Sequence, residues 1–289
     1  MSDPWAGTSA AYKSICKGFS EHKDFPGIYI KHFNSIDLAY SGEHYEQMLD
    51  HYIKLGAKTQ EDIIGEKRKN ESWTVDEDNQ IKSLENNIFL MREKRCKASI
   101  ESQLEEIDLI INEYLDKLNV LLNKKHAFFL TSAEYLADMA STDFVLSMSL
   151  FRDKELSQPA FSLEEVEHFT DKDTQKYVKL YHDTISCLDF KTIRKVSINP
   201  RFFDFFKNAV SAETFFGKNG KDLTRNQILL FDCAKYFHPL VAEVPDLTEE
   251  ERCDPEKIEK AVILSRNQAS EPEDNSVRNA YNKAKTFGR

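Results

Sequence analysis

Metal binding is the first chemistry to consider, because the chain has eight His residues and 49 carboxylates. His44 and His51 are seven positions apart, and two imidazoles two helical turns apart need ligands from a further element to hold a metal. A di-metal carboxylate bundle needs Glu-x-x-His on two helices, and we find this motif once, at Glu165 and His168. We therefore predict no metal site and no cofactor.

Covalent and acid–base catalysis find little support in the sequence. His182-Asp183 and Asp232-Cys233 are single pairs, without the third group that orients a base beside a nucleophile. The motifs H-E-x-x-H, G-x-S-x-G and the Rossmann glycine fingerprint do not occur. Gly217-Lys-Asn-Gly-Lys221 lacks the spacing of a phosphate-binding loop and indicates a surface turn. The sequence predicts a protein that is not an enzyme and has no catalytic residues.

Composition restricts the class of protein further. Only nine Gly and eight Pro in 289 residues disfavour a turn-rich all-β fold, and the net charge of −10 disfavours general affinity for nucleic acid or an anionic membrane. Five scattered Cys without a C-x-x-C motif indicate reduced thiols. With no signal-peptide pattern and no apolar run of about 18 residues, we predict a cytoplasmic location, or the host cytoplasm or virion for a viral protein.

The longest element that could position any binding residue covers residues 74–125, which contain neither Gly nor Pro. Apolar residues recur there at intervals of three and four, as on one face of a helix. The first stripe is Ile81, Leu84, Ile88, Met91 and Ala98. The second stripe is Leu104, Ile107, Ile111, Tyr114, Leu118 and Leu121.

The second stripe is displaced from the first by about half a helical turn, so the apolar face changes near the basic residues 92–97. One continuous helix of about 75 Å, at 1.5 Å per residue, would explain this change if its two halves contact different partners. An αα-hairpin that bends in the basic residues is the alternative. No Gly, Pro or Asn marks a turn there, and we favour the continuous helix.

Five S/T-x-x-E/Q capping boxes stand at the starts of apolar-periodic segments and support one another. They are Thr74–Glu77, Thr131–Glu134, Ser162–Glu165, Thr224–Gln227 and Thr248–Glu251. Gly18 and Gly56 are expected to end helices, and Pro239 is expected to bound the helix that begins at Thr224. We predict an all-α, multi-helix protein organised around the long helix or helical hairpin.

We divide the chain into four regions. They are an N-terminal helical region (1–72), a central helix or hairpin (73–126), a C-terminal helical domain (127–265) and a linker with a basic tail (266–289). The linker is acidic, whereas the tail carries cations and no acid. These cations are Arg278, Lys283, Lys285 and Arg289. We favour a disordered, solvated tail; the alternative is a peptide that folds on a partner, through an acidic groove or a phosphate backbone.

An aromatic region is the second candidate for binding. It comprises Phe202, Phe203, Phe205, Phe206, Phe215 and Phe216. A core corner between crossing helices is the favoured interpretation, and an exposed docking surface is the alternative. If partners bind, we expect them at the stripes and at this region. The predicted binding residues are Ile81, Leu84, Ile88, Met91, Leu104, Ile107, Ile111, Phe202, Phe203, Phe205 and Phe206.

Three short motifs resemble helper and structural proteins of tailed bacteriophages, of the tail-assembly chaperone or baseplate-associated type. They are Trp73-Thr-Val-Asp-Glu77, Leu130-Thr-Ser-Ala-Glu-Tyr-Leu-Ala137 and Leu223-Thr-Arg-Asn-Gln227. The resemblance covers roughly residues 59–265. It implies a soluble, acidic helical protein that is not an enzyme and that binds other tail components.

Two functional hypotheses follow, and a third, an enzyme, rests only on isolated residues. The first is a non-enzymatic assembly or adaptor protein that binds other protein chains, viral structural proteins or a second copy of itself among them; nucleic acid is a disfavoured partner, and no membrane is expected. The second is a nucleic-acid-associated factor that uses the basic residues 92–97 and the basic tail. Phosphate binding should weaken steeply between about 50 and 200 mM salt, whereas an apolar helix interface should not.

Overall fold

The computed structural model describes residues 5, 7–22, 24–98 and 100–270 of the chain. The predicted basic tail, with Arg278, Lys283, Lys285 and Arg289, lies outside the described residues. The described chain is predominantly helical, so the all-α prediction is confirmed, with one small antiparallel sheet in addition. By the contacts between its residues, the chain divides into two compact units. We call residues 1–39 with 146–289 the bipartite unit, and residues 40–145 the hairpin unit.

The first half of the chain contains the start of the bipartite unit, up to residue 39, and most of the hairpin unit. Its elements are α1 (Thr8–Lys17), β1 (Phe19–Glu21), β2 (Tyr29–Lys31), α2 (Ser35–Lys54), α3 (Gln60–Lys69), α4 (Val75–Lys97), α5 (Glu101–Phe129) and α6 (Ala133–Ser149). The expected helix ends at Gly18 and Gly56 are confirmed, because both glycines adopt the left-handed conformation just after α1 and α2.

The second half of the chain belongs to the bipartite unit from residue 146 onward. Its elements are β3 (Leu150–Phe151), α7 (Leu163–Glu167), α8 (Asp171–Ser186), α9 (Phe190–Ser197), α10 (Pro200–Lys207), α11 (Ala212–Phe216), α12 (Arg225–Glu243) and α13 (Pro255–Ser270). Short 3₁₀ turns lie at Gly220–Asp222 and Glu251–Cys253. The sheet has the order β1-β2-β3, with Ser20 opposite Ile30 and Tyr29 opposite Phe151.

The largest core of the bipartite unit forms around α12, where Leu230, Ala234 and Phe237 are fully buried. α1, α9 and α13 contribute Ile15, Val196 and Ile258 to it, among other residues. Pro239, expected to bound α12, instead lies inside it, so that prediction is wrong. The helix continues to Glu243 because Leu240 and Val244 are buried in the same core, which offsets the hydrogen bond that Pro cannot donate.

In the hairpin unit, α4 and α5 form an antiparallel helical hairpin, so the continuous helix that we favoured is wrong. Ion pairs join the two helices at both ends: Arg95 to Asp108 near the bend, and Lys125 to Asp78 at the base. The bend follows the basic residues 92–97, with Ala98 and Ile100 in extended conformations. Residues of any type adopt this backbone conformation, which is why no Gly or Pro marks the turn.

Three of the five predicted capping boxes are present as expected, at Thr74, Ser162 and Thr224. Thr248 and Glu251 also exchange the two hydrogen bonds, but the element that begins at Glu251 is a 3₁₀ turn. The capping box predicted at Thr131 does not form, so that prediction is wrong. Ser132 Oγ instead accepts a hydrogen bond from the Tyr135 N–H, at 3.1 Å. The predicted domain boundaries stay predictions.

Candidate protein-binding surfaces

The two apolar stripes pack against each other along the seam between α4 and α5. Ile81 and Ile88 from the first stripe, and Ile111 and Leu118 from the second, are buried. The remaining predicted binding residues on the hairpin are half-buried; they are Leu84, Met91, Leu104 and Ile107. The displacement between the stripes therefore reflects two helices that face each other, and the seam supplies the hairpin's own core rather than an open apolar surface.

Trp73 is fully buried at the base of the hairpin, and residues near the end of α5 pack around it. Phe128 meets the indole edge-to-face at 6.1 Å, and the ammonium groups of Lys124 and Lys125 lie 5.6 and 5.5 Å from the ring centroid. Burial raises the pKa of the adjacent Asp78, but hydrogen bonds from Lys125 and Arg68 outweigh it and lower that pKa to about 2. The carboxylate is therefore charged at neutral pH and fixes α4 to its neighbours.

Several large apolar side chains of the hairpin lie outside its packed seam. Phe89 on α4 is 61% exposed, and Leu109 and Val120 on α5 are 70% and 69% exposed. Leu109 and Val120 are eleven positions apart, close to three turns, so they project from the same line along α5. These exposed apolar side chains on one helix face are a candidate for contact with another protein.

A shallow groove runs between the two helices next to Val120. Leu84, Val120 and Leu121 provide its apolar wall, and Gln80, Ser83 and Lys117 provide its polar edge. Its volume is about 480 Å³. Grooves between helix ridges accept the side-chain ridges of a further helix. This groove and the exposed line on α5 form what we call the outer surface of the hairpin: Leu84, Leu109, Val120 and Leu121.

The aromatic region lies mainly in the core of the bipartite unit, as the favoured interpretation states. Phe206 is buried and stacks on Phe215 at 4.6 Å, and Phe202 stacks on Tyr12 at 3.9 Å. Phe205 differs, because it is 64% exposed and lines an open pocket of about 410 Å³. The side chain of Phe203 lies outside the described part of the structure.

The residues considered for chemistry serve other contacts in the structure. His44 stacks on Phe144 at 4.3 Å, and His168 Nδ1 lies 2.7 Å from the Glu164 carbonyl oxygen of its own helix. Burial raises the pKa of the Cys233 thiol to about 11, so it stays protonated at neutral pH. In the described ranges, no three His, Cys, Asp or Glu side chains come together in a way that could hold a metal ion.

A buried histidine directly after β2 was not predicted from the sequence. His32 is 3% exposed, and its Nε2 lies 2.8 Å from Ser20 Oγ on the neighbouring strand. Burial lowers the pKa of His32 to about 4, and the positive charge of Lys218 adds to the effect, so the imidazole is neutral at pH 7. His32 Nδ1 is also buried and finds no hydrogen-bond partner among the residues that the structure describes.

The bipartite unit also contains a cleft that was not predicted from the sequence. We call it the acidic cleft. α1, β1, α8 and α9 enclose it, and its volume is about 710 Å³. Thr8, Ala11 and Leu188 are buried at its floor, whereas Glu21 and Asp183 are exposed at its rim. Because these residues are far apart in the chain, no local motif could have predicted the cleft.

None of the helices within the described ranges combines the length and the apolar character that crossing a bilayer requires. No protein-family model, curated protein or solved structure matches this chain.

Proposed function

We propose that the chain is a non-enzymatic assembly or adaptor protein, and that the outer surface of its α4–α5 hairpin binds an amphipathic helix of another protein. The observation that carries the proposal is the exposure of Leu109 and Val120, both about 70% exposed, on one line of α5. The hairpin already has a packed seam, so these side chains add nothing to its own core.

Burial of the exposed side chains on this surface would contribute to a specific contact. Burying a Leu or Val side chain completely stabilises an interface by about 1.5–3 kcal/mol. Leu109 and Val120 together would therefore contribute several kcal/mol if a partner covered them, together with the half-buried Leu84 and Leu121 in the adjacent groove. A helix fits this site best, because an apolar stripe with helical spacing can follow α5 and insert its side chains between the two helices.

Charge favours this proposal over nucleic-acid binding at the hairpin. The alternative hypothesis needs the basic residues 92–97, but the Arg95 guanidinium is engaged by two hydrogen bonds to the Asp108 carboxylate. That contact neutralises one of the four cations in this segment. The resemblance to phage tail proteins adds a class of partner: we propose structural proteins of a tailed-phage virion.

The test begins by identifying a partner that co-purifies with the native chain. Its affinity is then measured for three proteins: the wild type, the double variant Leu109→Asp/Val120→Asp, and the matched control Asn112→Asp/Asn119→Asp. The control adds the same two charges to exposed positions of the same helix. Circular dichroism and thermal unfolding establish that each variant remains folded.

We expect the Leu109→Asp/Val120→Asp variant to weaken binding by about 100-fold or more, equivalent to roughly 3 kcal/mol, and the control to change it by less than about threefold. Affinity should also vary little between about 50 and 200 mM salt. Equal weakening by both double variants, or unchanged affinity in the first, would contradict the proposed surface.

A further inference from the structure

The acidic cleft has a buried floor and a rim with an excess of negative charge. Its floor is formed by Thr8, Ala11 and Leu188. Three carboxylates line it, from Glu21, Asp24 and Asp183, against one ammonium group, from Lys195. These charged side chains therefore leave a net charge of −2 at the cleft. A ligand that fits this cleft should carry positive charges around a small apolar or aromatic group.

We propose that the C-terminal segment of the same chain occupies the acidic cleft, with Arg278, Tyr281 and Lys283 as the residues that enter it. Residues 277–289 contain four cations and no acid, so their charge is complementary to that of the cleft. Tyr281 lies between the first two cations and can place an apolar ring on the floor while its hydroxyl remains near the polar rim. This inference concerns the bipartite unit and is independent of the function proposed for the hairpin.

The chain between α13 and the segment is long enough for this contact. Glu259 of α13 pairs with Arg194 of α9 at 2.6 Å, and the next residue of α9, Lys195, lines the cleft. From Glu259 to Ser270, α13 extends about 16 Å at 1.5 Å per residue. The six residues 271–276 can span up to about 20 Å, which is sufficient for the chain to return to the cleft.

The size of the cleft selects the first half of the segment. Its volume of about 710 Å³ is typical of a pocket for a ligand the size of a few residues, not of thirteen. The first two cations of the segment after α13 are Arg278 and Lys283, and its first aromatic residue is Tyr281. The linker brings these three residues within reach of the cleft first. Lys285 and Arg289 are then expected to remain outside the cleft.

Cys187 provides a direct reporter of occupancy, because its thiol is exposed and lines the acidic cleft. Cys96 is exposed on α4, in the hairpin unit, and serves as the internal reference. The alkylation rate of each thiol in the folded full-length chain is measured by quenching with time and analysing the cysteine-containing peptides by mass spectrometry. The chains compared are the wild type, Arg278→Gln/Lys283→Gln and the charge-matched control Lys285→Gln/Arg289→Gln.

We expect the Arg278→Gln/Lys283→Gln variant to be alkylated at Cys187 at least about fivefold faster than the wild type, since an attached segment has a high effective concentration at its site. The control variant should retain the wild-type rate, and Cys96 should react equally in all three chains. Glu21→Gln, at the rim, should also accelerate the reaction of Cys187. Adding 0.5 M salt to the wild type should have the same effect, since it screens the charges.

An unchanged Cys187 rate in Arg278→Gln/Lys283→Gln would overturn the proposal. An equal acceleration in both double variants would overturn the assignment to the first half of the segment, because it would reflect general charge attraction. A wild-type rate that falls as protein concentration rises would show that a second copy supplies the segment, and would overturn docking within one chain.

Discussion

The guanidinium of Arg95 donates two hydrogen bonds, of 2.6 and 3.1 Å, to the carboxylate of Asp108 thirteen residues later. On one continuous helix these residues would lie about 20 Å apart, at 1.5 Å per residue. The contact therefore requires α4 and α5 to fold back on each other beside Ala98 and Ile100. At the opposite end, Lys125 and Asp78 meet at 2.7 Å in the same register.

Spin labels placed across the hairpin test this fold. Residues 82 and 119 are exposed and should lie side by side on α4 and α5, given the two ion pairs. With Cys96 and Cys187 replaced by Ser, labels at Lys82→Cys and Asn119→Cys should be less than about 25 Å apart, since packed helices are 8–10 Å apart at their axes. A continuous helix would separate them by about 55 Å. Pulsed electron paramagnetic resonance measures this distance.

Asp78 is expected to stabilise the hairpin through its charged form. Its folded pKa of about 2 lies below the ordinary value of 3.8, so its contribution is complete above pH 4 and is lost as pH falls towards 2. We expect Asp78→Asn to lower the free energy of unfolding at pH 7 by about 1–2 kcal/mol. Chemical denaturation measures this quantity.

Asp76→Asn is the matched control for Asp78→Asn, because Asp76 lies in the same first turn of α4 but is exposed. We expect Asp76→Asn to lower the free energy of unfolding at pH 7 by less than about 0.5 kcal/mol. Equal losses for the two variants would mean that the ion pairs with Arg68 and Lys125 do not stabilise the base of the hairpin.

His32 should make the bipartite unit sensitive to mild acid. Its pKa is lowered from 6.5 to about 4 in the folded chain, so between these pH values the unfolded chain binds a proton that the folded chain does not. The free energy of unfolding should therefore fall as pH decreases from 6.5 to 4, by at most about 3 kcal/mol from this group. Denaturation at several pH values measures the slope.

His32→Gln should reduce that slope, although it also removes the imidazole contact with Ser20 and lowers stability at pH 7. His51→Gln is the control for the loss of a histidine side chain, because His51 is exposed on α2. If the slope is the same in the wild type and in His32→Gln, the proposed buried neutral imidazole is wrong.

Local sequence signals predicted the starts of α4, α7 and α12, because a capping box depends on residues three positions apart. Thr59 and Asp62 form another such box in the structure, with Asp in place of Glu or Gln. At α6, however, the Glu134 carboxylate that was expected to complete a capping box with Thr131 instead accepts hydrogen bonds from the distant Gln60 N–H, at 2.9 and 3.0 Å. The sequence around Thr131 contains no sign of that partner.

Features that depend on residues distant in the chain could not be read from the sequence. The two apolar stripes predicted buried faces, but whether they face each other depends on the bend at Ala98 and Ile100, whose extended backbone has no sequence signature. The acidic cleft joins Thr8 to Asp183 and Leu188, and only the folded chain brings them together.

The most direct test of the proposed function is hydroxyl-radical footprinting of the chain, alone and bound to the identified partner. We expect Leu109 and Val120 to become protected in the complex, whereas exposed residues of the bipartite unit, such as Tyr236 and Ile263, should react as before. Unchanged labelling of Leu109 and Val120 in a saturated complex would contradict binding at the outer surface of the hairpin.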